Sequence, residues 1–416
     1  MATAIKWYIV SLLLVVCSTL TYAQTAHCHA DELLLNHLQQ TNTEEELADF
    51  KESISQHISE RGAAEQVDIA VVFHIIHQGE PIGSGPNISN HKIFEQLDIV
   101  NEDFSFKNSD KVLIPSAFSN LAANAEIQFC LAKEDEYGNP TSGIVRYQKP
   151  NINSTGYIDN TIKPQTQWDP LKYMNVWIVR MPKPNILGYA YFPVPSIVGS
   201  TKDGVVISHT KFGNVGSSSK GRTLVHEIGH YLGLPHVWGF KENDCSEDDQ
   251  IQDTPSTFAP YYGCPAYPQI TCGTSDMFMN YMDYVNDDCM HMFTEGQKVI
   301  MQHILSNQRS GLKNTATTHC NIAVHTKATA KMHDVVTLFP NPCRSEVNIT
   351  LPENQYIASV RIYDSNGSHI GNAPISSRST LNELKISTES LESGIYMAQI
   401  ETNAGNSYVK RFIRLK

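Results

Sequence analysis

The sequence predicts an α/β domain followed by a smaller all-β sandwich, and three observations favour this fold class. Strand-like apolar runs alternate with helical patterns through the larger, N-terminal part of the chain. Residues 321–334 are small, polar and unpatterned, as expected for a linker. After them, in residues 335–416, short alternating segments lie between Asn-Gly, Ser-Gly and Ala-Gly turns, which is typical of a β-sandwich.

The length and composition indicate a globular protein of more than one domain. The chain has 416 residues, which exceeds a typical single domain. Hydrophobic residues make up 41% and charged residues 18%, a balance that is normal for a folded protein. The net charge of −12 argues against a nucleic-acid partner, because such a partner requires a basic surface.

Residues 1–23 have the pattern of a signal peptide. Lys6 precedes the apolar run 8–16, and small residues follow at Thr21 and Ala23, after which cleavage is expected. The alternative is a membrane anchor, but the run is short for a bilayer span, and the sequence predicts no transmembrane segment in the mature protein. Export would also permit disulfides.

Residues 24–65 form a polar, helical stretch that is short for a domain. Thr43 and Glu46 have the spacing of a capping box. Apolar residues then repeat at helical spacing: Leu47, Phe50, Ile54 and Ile58. We interpret this stretch as a propeptide, and an N-terminal helical extension of the core is the alternative.

Residues 66–320 contain the predicted elements of the α/β domain. Strands are predicted at 69–76, 127–132, 173–181 and 205–208, and helices at 91–101, 222–233 and 294–306. A Gly/Ser-rich loop, 213–221, precedes the second of these helices. That helix carries the pattern with the most chemical content.

The stretch LVHEIGHYLGLPHVWG, residues 224–239, contains a candidate metal site. His226 and His230 lie one turn apart on the same face of the predicted helix. Gly233 can adopt the left-handed conformation that ends a helix, after which a turn would bring back His236. Three imidazole nitrogens suit Zn²⁺ and leave its fourth position open for water, as in a catalytic site.

Glu227 follows the first histidine and is not needed as a ligand. Its carboxylate is placed to take a proton from a zinc-bound water, whose pKa the metal lowers towards about 7, and to pass that proton to a leaving amine. One alternative is a helix with solvent-facing histidines. Another is a secreted adhesin or binding protein with a structural zinc site, which would have no use for Glu227.

The full pattern H-E-x-x-H-x-x-G-x-x-H is the metzincin signature. The segments HEIGHYLGLPH, DTP at 253–255 and NYMDYVNDDCMHMF together resemble the pappalysin family of metzincins, most of all its short ulilysin-type bacterial members. The resemblance covers residues 67–307. It implies an α+β fold with a mixed sheet and an active-site helix, and the activity of a zinc metalloendopeptidase.

The resemblance also implies roles for single residues. The zinc ligands would be His226, His230 and His236, with Glu227 as the base. Met282 would be the methionine of the Met-turn, a hydrophobic floor beneath the metal; ordinary core packing is the alternative. Tyr284 would donate a hydrogen bond to the developing oxyanion.

Four of the nine cysteines cluster after the histidine stretch: Cys245, Cys264, Cys272 and Cys289. The sequence alone allows three pairings of these four residues. The resemblance implies the disulfides Cys245–Cys272 and Cys264–Cys289.

Cys28 lies where the resembling proenzymes carry a propeptide cysteine. Its thiolate would occupy the open zinc position as a zymogen latch until the segment is removed. His29 follows it where family members usually have glycine. The alternative is a disulfide with one of the cysteines that the sequence leaves unassigned, Cys130, Cys320 and Cys343.

Two further expectations come from the resemblance. Asp288 would be the acid of the S1′ pocket and would favour cleavage before Arg or Lys through a charge-assisted pair; a solvated loop acid is the alternative. The acidic stretch ENDCSEDDQIQDTP lies where ulilysin-type enzymes bind Ca²⁺, and Asp249 and Thr254 are the candidate ligands. A solvated loop is again the alternative.

The C-terminal unit resembles the type IX secretion sorting domain of Bacteroidetes-like bacteria. LFPNP, VRIYDSNG, SGIYMAQI and KRFIRLK carry this resemblance. It implies export to the cell surface or the medium, with the type IX secretion machinery as a partner. A carbohydrate- or protein-binding sandwich is the alternative.

The favoured interpretation is a secreted zinc endopeptidase that is made as a zymogen and acts on proteins or peptides. A zinc hydrolase of non-peptide amides is a further hypothesis, besides the adhesin. Four other histidines are interpreted as structural: His74, His77, His291 and His303.

Overall fold

A computed structural model describes most of the chain outside its N-terminus and linker. The described residues are 27–57, 66–139, 141–149, 151–216, 219–313, 320, 336–351, 356–364, 369–372, 375–380, 382–402 and 407–415. The predicted signal peptide 1–23 and the predicted linker 321–334 lie outside them. No helix within the described ranges is long and apolar enough to cross a membrane.

The larger unit contains seven strands and seven helices among its described residues. In chain order they are β1 (His27–Cys28), α1 (Ala30–Thr41), α2 (Glu45–His57), β2 (Val67–His77), α3 (Asn90–Phe104), β3 (Ile127–Leu131), β4 (Ile144–Gln148), α4 (Thr155–Tyr157), α5 (Lys163–Thr166), β5 (Met174–Val179), β6 (Ile186–Ala190), β7 (Val205–Ser208), α6 (Arg222–Tyr231) and α7 (Glu295–Ser306). A π-helical turn, Ile158–Ile162, joins α4 to α5.

The strands form one mixed sheet in the order β1-β6-β7-β5-β2-β3, and β4 also pairs with β2. All pairs are parallel except β6 with β7, which run antiparallel. β2 is long enough to pair with β3 along its first half and with β4 along its second. Its sequence, VDIAVVFHIIH, is apolar at successive positions because this strand is buried on both faces. The predicted α/β class with a mixed sheet is confirmed.

Three strands of the larger unit were not predicted, namely β1, β4 and β6, and the first two lack a strong local signal. β1 has only two residues and forms by pairing with β6. β4 is only partly buried, so its sequence lacks an apolar run.

The helix predicted at 222–233 ends at Tyr231 because the chain turns there, with Gly233 at a φ of +91°.

The C-terminal unit consists of two four-stranded antiparallel sheets over one apolar core. Its strands are β8 (Thr337–Phe339), β9 (Glu346–Thr350), β10 (Ile357–Asp364), β11 (His369–Asn372), β12 (Ile375–Thr380), β13 (Glu383–Ser387), β14 (Gly394–Thr402) and β15 (Ser407–Arg414). The sheets have the orders β11-β10-β14-β15 and β12-β13-β9-β8. Alternate residues of both sheets are buried together, such as Val347, Ile349, Ile400 and Phe412, which confirms the predicted sandwich.

Three disulfides join cysteines within the described part of the chain. Cys245 is joined to Cys272, and Cys264 to Cys289. Cys130, at the sheet edge in β3, is joined to Cys320 across 190 residues. Cys28 and Cys343 are free and buried.

Phe104, at the end of α3, anchors the helices to the sheet. Its ring centroid lies 5.0 Å from that of Phe129 in β3 and 4.9 Å from that of Phe293, just before α7. The side chain is fully buried in the main core. Replacing it would therefore leave a cavity between sheet and helices.

We predict that Phe104→Ala lowers the free energy of unfolding by about 3–5 kcal/mol, because buried aromatic rings cost this much to truncate. Urea unfolding followed by tryptophan fluorescence measures the change. Tyr137→Ala, at a ring that is 86% exposed, is the matched control and should change stability by less than about 0.5 kcal/mol. Equal losses in the two variants would contradict the packing described above.

Candidate active site and metal centre

α6 positions the first two histidines in the interior, and all ten of its residues are buried. Its N-terminal end is held by Asp287, whose Oδ2 accepts hydrogen bonds from the backbone N–H groups of Lys220 (2.7 Å) and Arg222 (2.9 Å). After the helix, Gly233 packs so closely that a Cβ there would lie 2.8 Å from Ile304. The resulting turn returns the chain to the helix and brings in His236.

The three imidazole rings meet through their Nε2 atoms. The Nε2 of His230 lies 3.0 Å from that of His226 and 3.1 Å from that of His236. All three side chains are buried. The predicted convergence of these residues is therefore present in the fold.

The outer nitrogens of these rings determine their tautomers. The Nδ1 of His226 lies 2.7 Å from the carbonyl oxygen of Tyr281, and that of His230 lies 2.8 Å from the carbonyl oxygen of Leu234. A carbonyl oxygen only accepts, so each Nδ1 carries the proton and each Nε2 presents a lone pair inward. Burial lowers the pKa of His226 to about 3 and lowers the pKa of His230 well below its usual value, so both rings are neutral.

Three inward lone pairs at such short range repel one another unless a cation lies between them. Zn²⁺ takes nitrogen ligands at about 2.0–2.1 Å, so two tetrahedral ligands lie about 3.3 Å apart, close to the spacing observed here. The Sγ of Cys28 completes the group, and the four ligand atoms lie within 4.8 Å of one another. The donor set therefore fits zinc.

Glu227 is fully buried beside this group. Its Oε2 accepts a hydrogen bond from the Cys28 thiol at 3.2 Å, and its Oε1 is without a hydrogen-bond partner in the described part of the chain. Burial raises the pKa of Glu227 to about 8. Gly188 of β6 lies against it, since a Cβ there would come within 2.8 Å of the carboxylate.

Met282 and Tyr284 also lie at the site. Met282 is fully buried, and its sulfur packs under Gly229 of α6, so closely that a Cβ there would overlap it. The Tyr284 ring centroid lies 4.8 Å from that of His236, and its hydroxyl donates to the Cys28 carbonyl at 3.4 Å. Burial raises the pKa of Tyr284, so this phenol stays protonated and can donate.

A small cavity opens beside Glu227, with Thr223, Asp283 and Asp287 in its wall. Asp283 is fully buried, and its Oδ2 has no partner among the described residues. Asp288, the acid predicted for this pocket, is not in the wall. Its Oδ1 forms an ion pair with Lys220 Nζ at 2.8 Å.

Asp249 and Thr254, the predicted calcium ligands, contact each other. The Thr254 hydroxyl lies 2.7 Å from both carboxylate oxygens of Asp249, and both residues are buried. Asp253, in the same segment, stabilises the start of α7 by accepting from Thr294 Oγ1 (2.7 Å) and Gly296 N (2.8 Å). The calcium expectation stays a prediction.

The predicted propeptide contributes residues 27–57 to the structure, and they lie across the site. β1 pairs in parallel with β6, which places Cys28 opposite Gly188. α2 is held by an ion pair from Lys51 to Glu247 (2.9 Å) and by Glu46, whose Oε2 accepts from the Ser196 hydroxyl at 2.7 Å. Glu46 thus contacts the core rather than serving the predicted capping box.

Sequence reasoning missed two residues at the metal group. Asp31 Oδ2 lies 2.7 Å from the Nδ1 of His236. Trp238 stacks on the same ring, with centroids 4.5 Å apart and planes 6° from parallel. No sequence pattern marks Asp31, whereas Trp238, two residues after a predicted ligand, could have been found by its position.

The histidines interpreted as structural lie outside the metal group. His74 is buried between Tyr147 and Trp177, and its Nε2 lies 2.8 Å from Asn175 Oδ1. Burial lowers the pKa of His74 to about 4. His303, on α7, lies beside Asn307.

Two family models match the chain. Residues 156–306 match the peptidase family described as pregnancy-associated plasma protein-A, and residues 337–415 match the secretion system C-terminal sorting domain. The first match includes α6 and the Met282 segment, and the second covers the sandwich.

Extracellular metalloproteases of fungi are similar in sequence. That of Arthroderma gypseum is 31% identical over 243 residues, which cover 57% of this chain and 71% of the relative. That of Arthroderma benhamiae is 29% identical over 258 residues, covering 60% of this chain and 76% of the relative.

Solved structures from Tannerella forsythia are similar in fold. Mature mirolysin in complex with a cleaved peptide has a TM-score of 0.58 and 36% identity, covering 62% of this chain and 100% of its own. A promirolysin mutant has a TM-score of 0.63 and 34% identity, covering 71% of this chain and 98% of its own.

We predict that the purified chain holds one zinc ion and that His230→Gln loses it, because the variant removes the ligand atom shared by both short Nε2 contacts. Metal analysis by mass spectrometry measures the zinc per chain. His303→Gln, on the surface of α7, should keep the metal. Full zinc occupancy in His230→Gln would exclude this site.

Proposed function

The chain belongs to the pappalysin family of zinc metalloendopeptidases and carries a type IX secretion sorting domain, and we propose that in it Glu227 acts as the base of peptide-bond hydrolysis. The enzyme class, the zinc cofactor and the extracellular location follow from family membership. The roles of single residues and the substrate preference are the proposal.

One observation supports it above the others. A carboxylate with no structural ion-pair partner among the described residues is fully buried beside three inward-facing imidazole nitrogens. In a structural zinc site or an adhesin, burial of the Glu227 carboxylate would destabilise the fold, and no function would compensate for that cost. For hydrolysis the same placement is useful, because a base must lie next to the attacking water.

The residues divide the work as follows. Zinc, when held by His226, His230 and His236, would polarise the scissile carbonyl and acidify a water. Glu227 would take a proton from the attacking water and pass it to the leaving amine. Tyr284 donates to the oxyanion that forms.

The contacts of the predicted propeptide, called the prosegment from here on, support the proposal that the enzyme is made as a zymogen. The Sγ of Cys28 lies 3.2 Å from the Oε2 of the proposed base and at the fourth position of the metal group, while the Cys28 carbonyl accepts from Tyr284. β1 also takes the free edge of β6, where a peptide would otherwise add as a strand. His29 has a φ of −121°, which any residue can adopt, so the absence of glycine after Cys28 leaves the latch intact.

We infer that protein or peptide chains are the substrates. Mirolysin has been solved with a cleaved peptide, and this chain shares its fold. A basic side chain at P1′ is the proposed preference, since the cavity beside Glu227 has acids in its wall. Asp287 is the proposed acid for this side chain, because it lies in the cavity wall whereas Asp288 lies outside it and pairs with Lys220.

Calcium at Asp249 and Thr254 is retained only as an expectation from the family resemblance. The two residues contact each other and lie in a buried segment. No observation favours calcium beyond that resemblance.

We predict that Glu227→Gln lowers peptide hydrolysis by about 10²–10⁴-fold and leaves zinc bound, because it removes the base while all ligands remain. The test compares hydrolysis of a quenched fluorescent peptide by variants freed of the prosegment, with metal analysis in parallel. Glu295→Gln, at an exposed residue that starts α7, is the control. Undiminished hydrolysis by Glu227→Gln would refute the assigned base.

We predict that Asp287→Asn lowers the ratio of cleavage before Arg to cleavage before a neutral residue by about 10-fold or more, since a charge-assisted hydrogen bond contributes about 1.5–3 kcal/mol. Asp288→Asn, the neighbouring and isosteric change, should keep the ratio. A peptide library analysed by mass spectrometry measures both. The reverse outcome, with only Asp288→Asn changing the ratio, would restore the assignment made from the sequence.

A further inference from the structure

The three histidines of the metal group differ in what holds their outer nitrogens. Backbone carbonyls of the core, those of Tyr281 and Leu234, accept from the Nδ1 of His226 and His230 at 2.7 and 2.8 Å. The Nδ1 of His236 instead contacts the carboxylate of Asp31 at 2.7 Å. Asp31 belongs to the prosegment and is separated from His236 by 205 residues along the chain.

The local fold of the prosegment explains how Asp31 reaches this position. Cys28 ends β1, and α1 begins two residues later, at Ala30. The chain therefore turns within one helical turn, so that the thiol faces Glu227 while the carboxylate three residues later faces His236. Asp31 lies in the first turn of α1, where the helix dipole favours a negative charge.

The contact with His236 is the hydrogen bond that the structure shows for the Asp31 carboxylate. Its second oxygen, Oδ1, is buried and makes no hydrogen bond within the described ranges. Glu46, a prosegment carboxylate that docks the segment on the core, contacts Ser196 and no residue of the metal group. Asp31 instead contacts a proposed metal ligand.

A carboxylate on the outer nitrogen of a ligating histidine fixes the ring orientation and raises the basicity of the inner nitrogen. Loss of such a partner typically lowers metal affinity by about 10–100-fold. We propose that Asp31 is a positioning residue of the metal centre, so that the prosegment helps the proenzyme retain zinc as well as blocking its active site. This inference rests on the proposed zinc ligands.

Removal of the prosegment during maturation would change the surroundings of His236. When the prosegment leaves, His236 loses a carboxylate partner, whereas His226 and His230 keep their carbonyl partners from the core. The mature enzyme is then expected to release zinc faster than the proenzyme for a reason separate from the loss of the Cys28 thiol.

The test measures zinc release from the full chain into a chromogenic chelator. All proteins carry Glu227→Gln, which prevents self-processing and keeps a polar side chain of the same size beside Cys28. Asp31→Asn should release zinc about 10-fold faster or more than the parent. Asp49→Asn, the same change at an exposed position of the same prosegment, should release it at the parent rate. Equal rates for Asp31→Asn and the parent would overturn the proposal.

Two further measurements distinguish a role of Asp31 in positioning His236 from a role in docking the prosegment. The Asp31→Asn effect is also measured in a Cys28→Ser background, where it should persist because it does not act through the thiol. Limited proteolysis of the prosegment is followed in parallel. Faster zinc release that coincides with a protease-sensitive prosegment would show a docking role and overturn the proposal.

A spectroscopic measurement covers the case in which Asp31→Asn does not fold. In the zinc-loaded parent with ¹⁵N-labelled histidine, three Nδ1–H signals should depend on zinc. In the Cys28→Ser background, where cleavage removes no thiolate ligand, cutting off the prosegment with an added protease should move the His236 signal and leave the other two nearly in place. Three unmoved signals would overturn the proposal.

Failure of the proposed function is distinguishable from failure of this inference. The former would appear as a parent chain without zinc or without Glu227-dependent hydrolysis. The latter would appear as equal release rates among chains that all hold zinc.

Discussion

The structure depends on one electrostatic constraint, the convergence of three imidazole nitrogens in a buried space. The Nε2 of His230 lies 3.0 Å from that of His226 and 3.1 Å from that of His236, where neither water nor a shared proton satisfies all three. A cation is the remaining solution, and the surrounding fold is arranged to hold the rings for it. α6, the turn at Gly233 and the carbonyl of Tyr281 each fix one part of this geometry.

The prosegment uses the groups that catalysis is proposed to need. Its strand completes the edge of β6, its thiol contacts Glu227, and its backbone carbonyl accepts from Tyr284. Latency of this kind requires no rearrangement of the core. Under the proposed function a substrate would use the same groups, so the segment and a substrate would exclude each other.

The site could be predicted from the sequence where spacing alone fixes geometry. Four residues of helix place His226 and His230 on one face, and a glycine predicts the turn to His236. Asp31 could not be predicted, because its contact depends on a two-residue strand that exists only through pairing with β6. The choice between Asp287 and Asp288 likewise depends on a turn of the backbone, which leaves Asp287 in the cavity wall and Asp288 in an ion pair with Lys220. The central strands were predictable because burial on both faces leaves a continuous apolar run, whereas the partly buried β4 leaves none.

The disulfide between Cys130 and Cys320 determines what holds the end of the larger unit if the chain is cut before the sandwich. It ties the last described residue before the sandwich to a strand of the larger sheet. A cut in the chain between Cys320 and β8 would leave the new C-terminal end of the larger unit covalently tied to its sheet. The terminus created by such a cut would therefore be held in place rather than fraying from the domain.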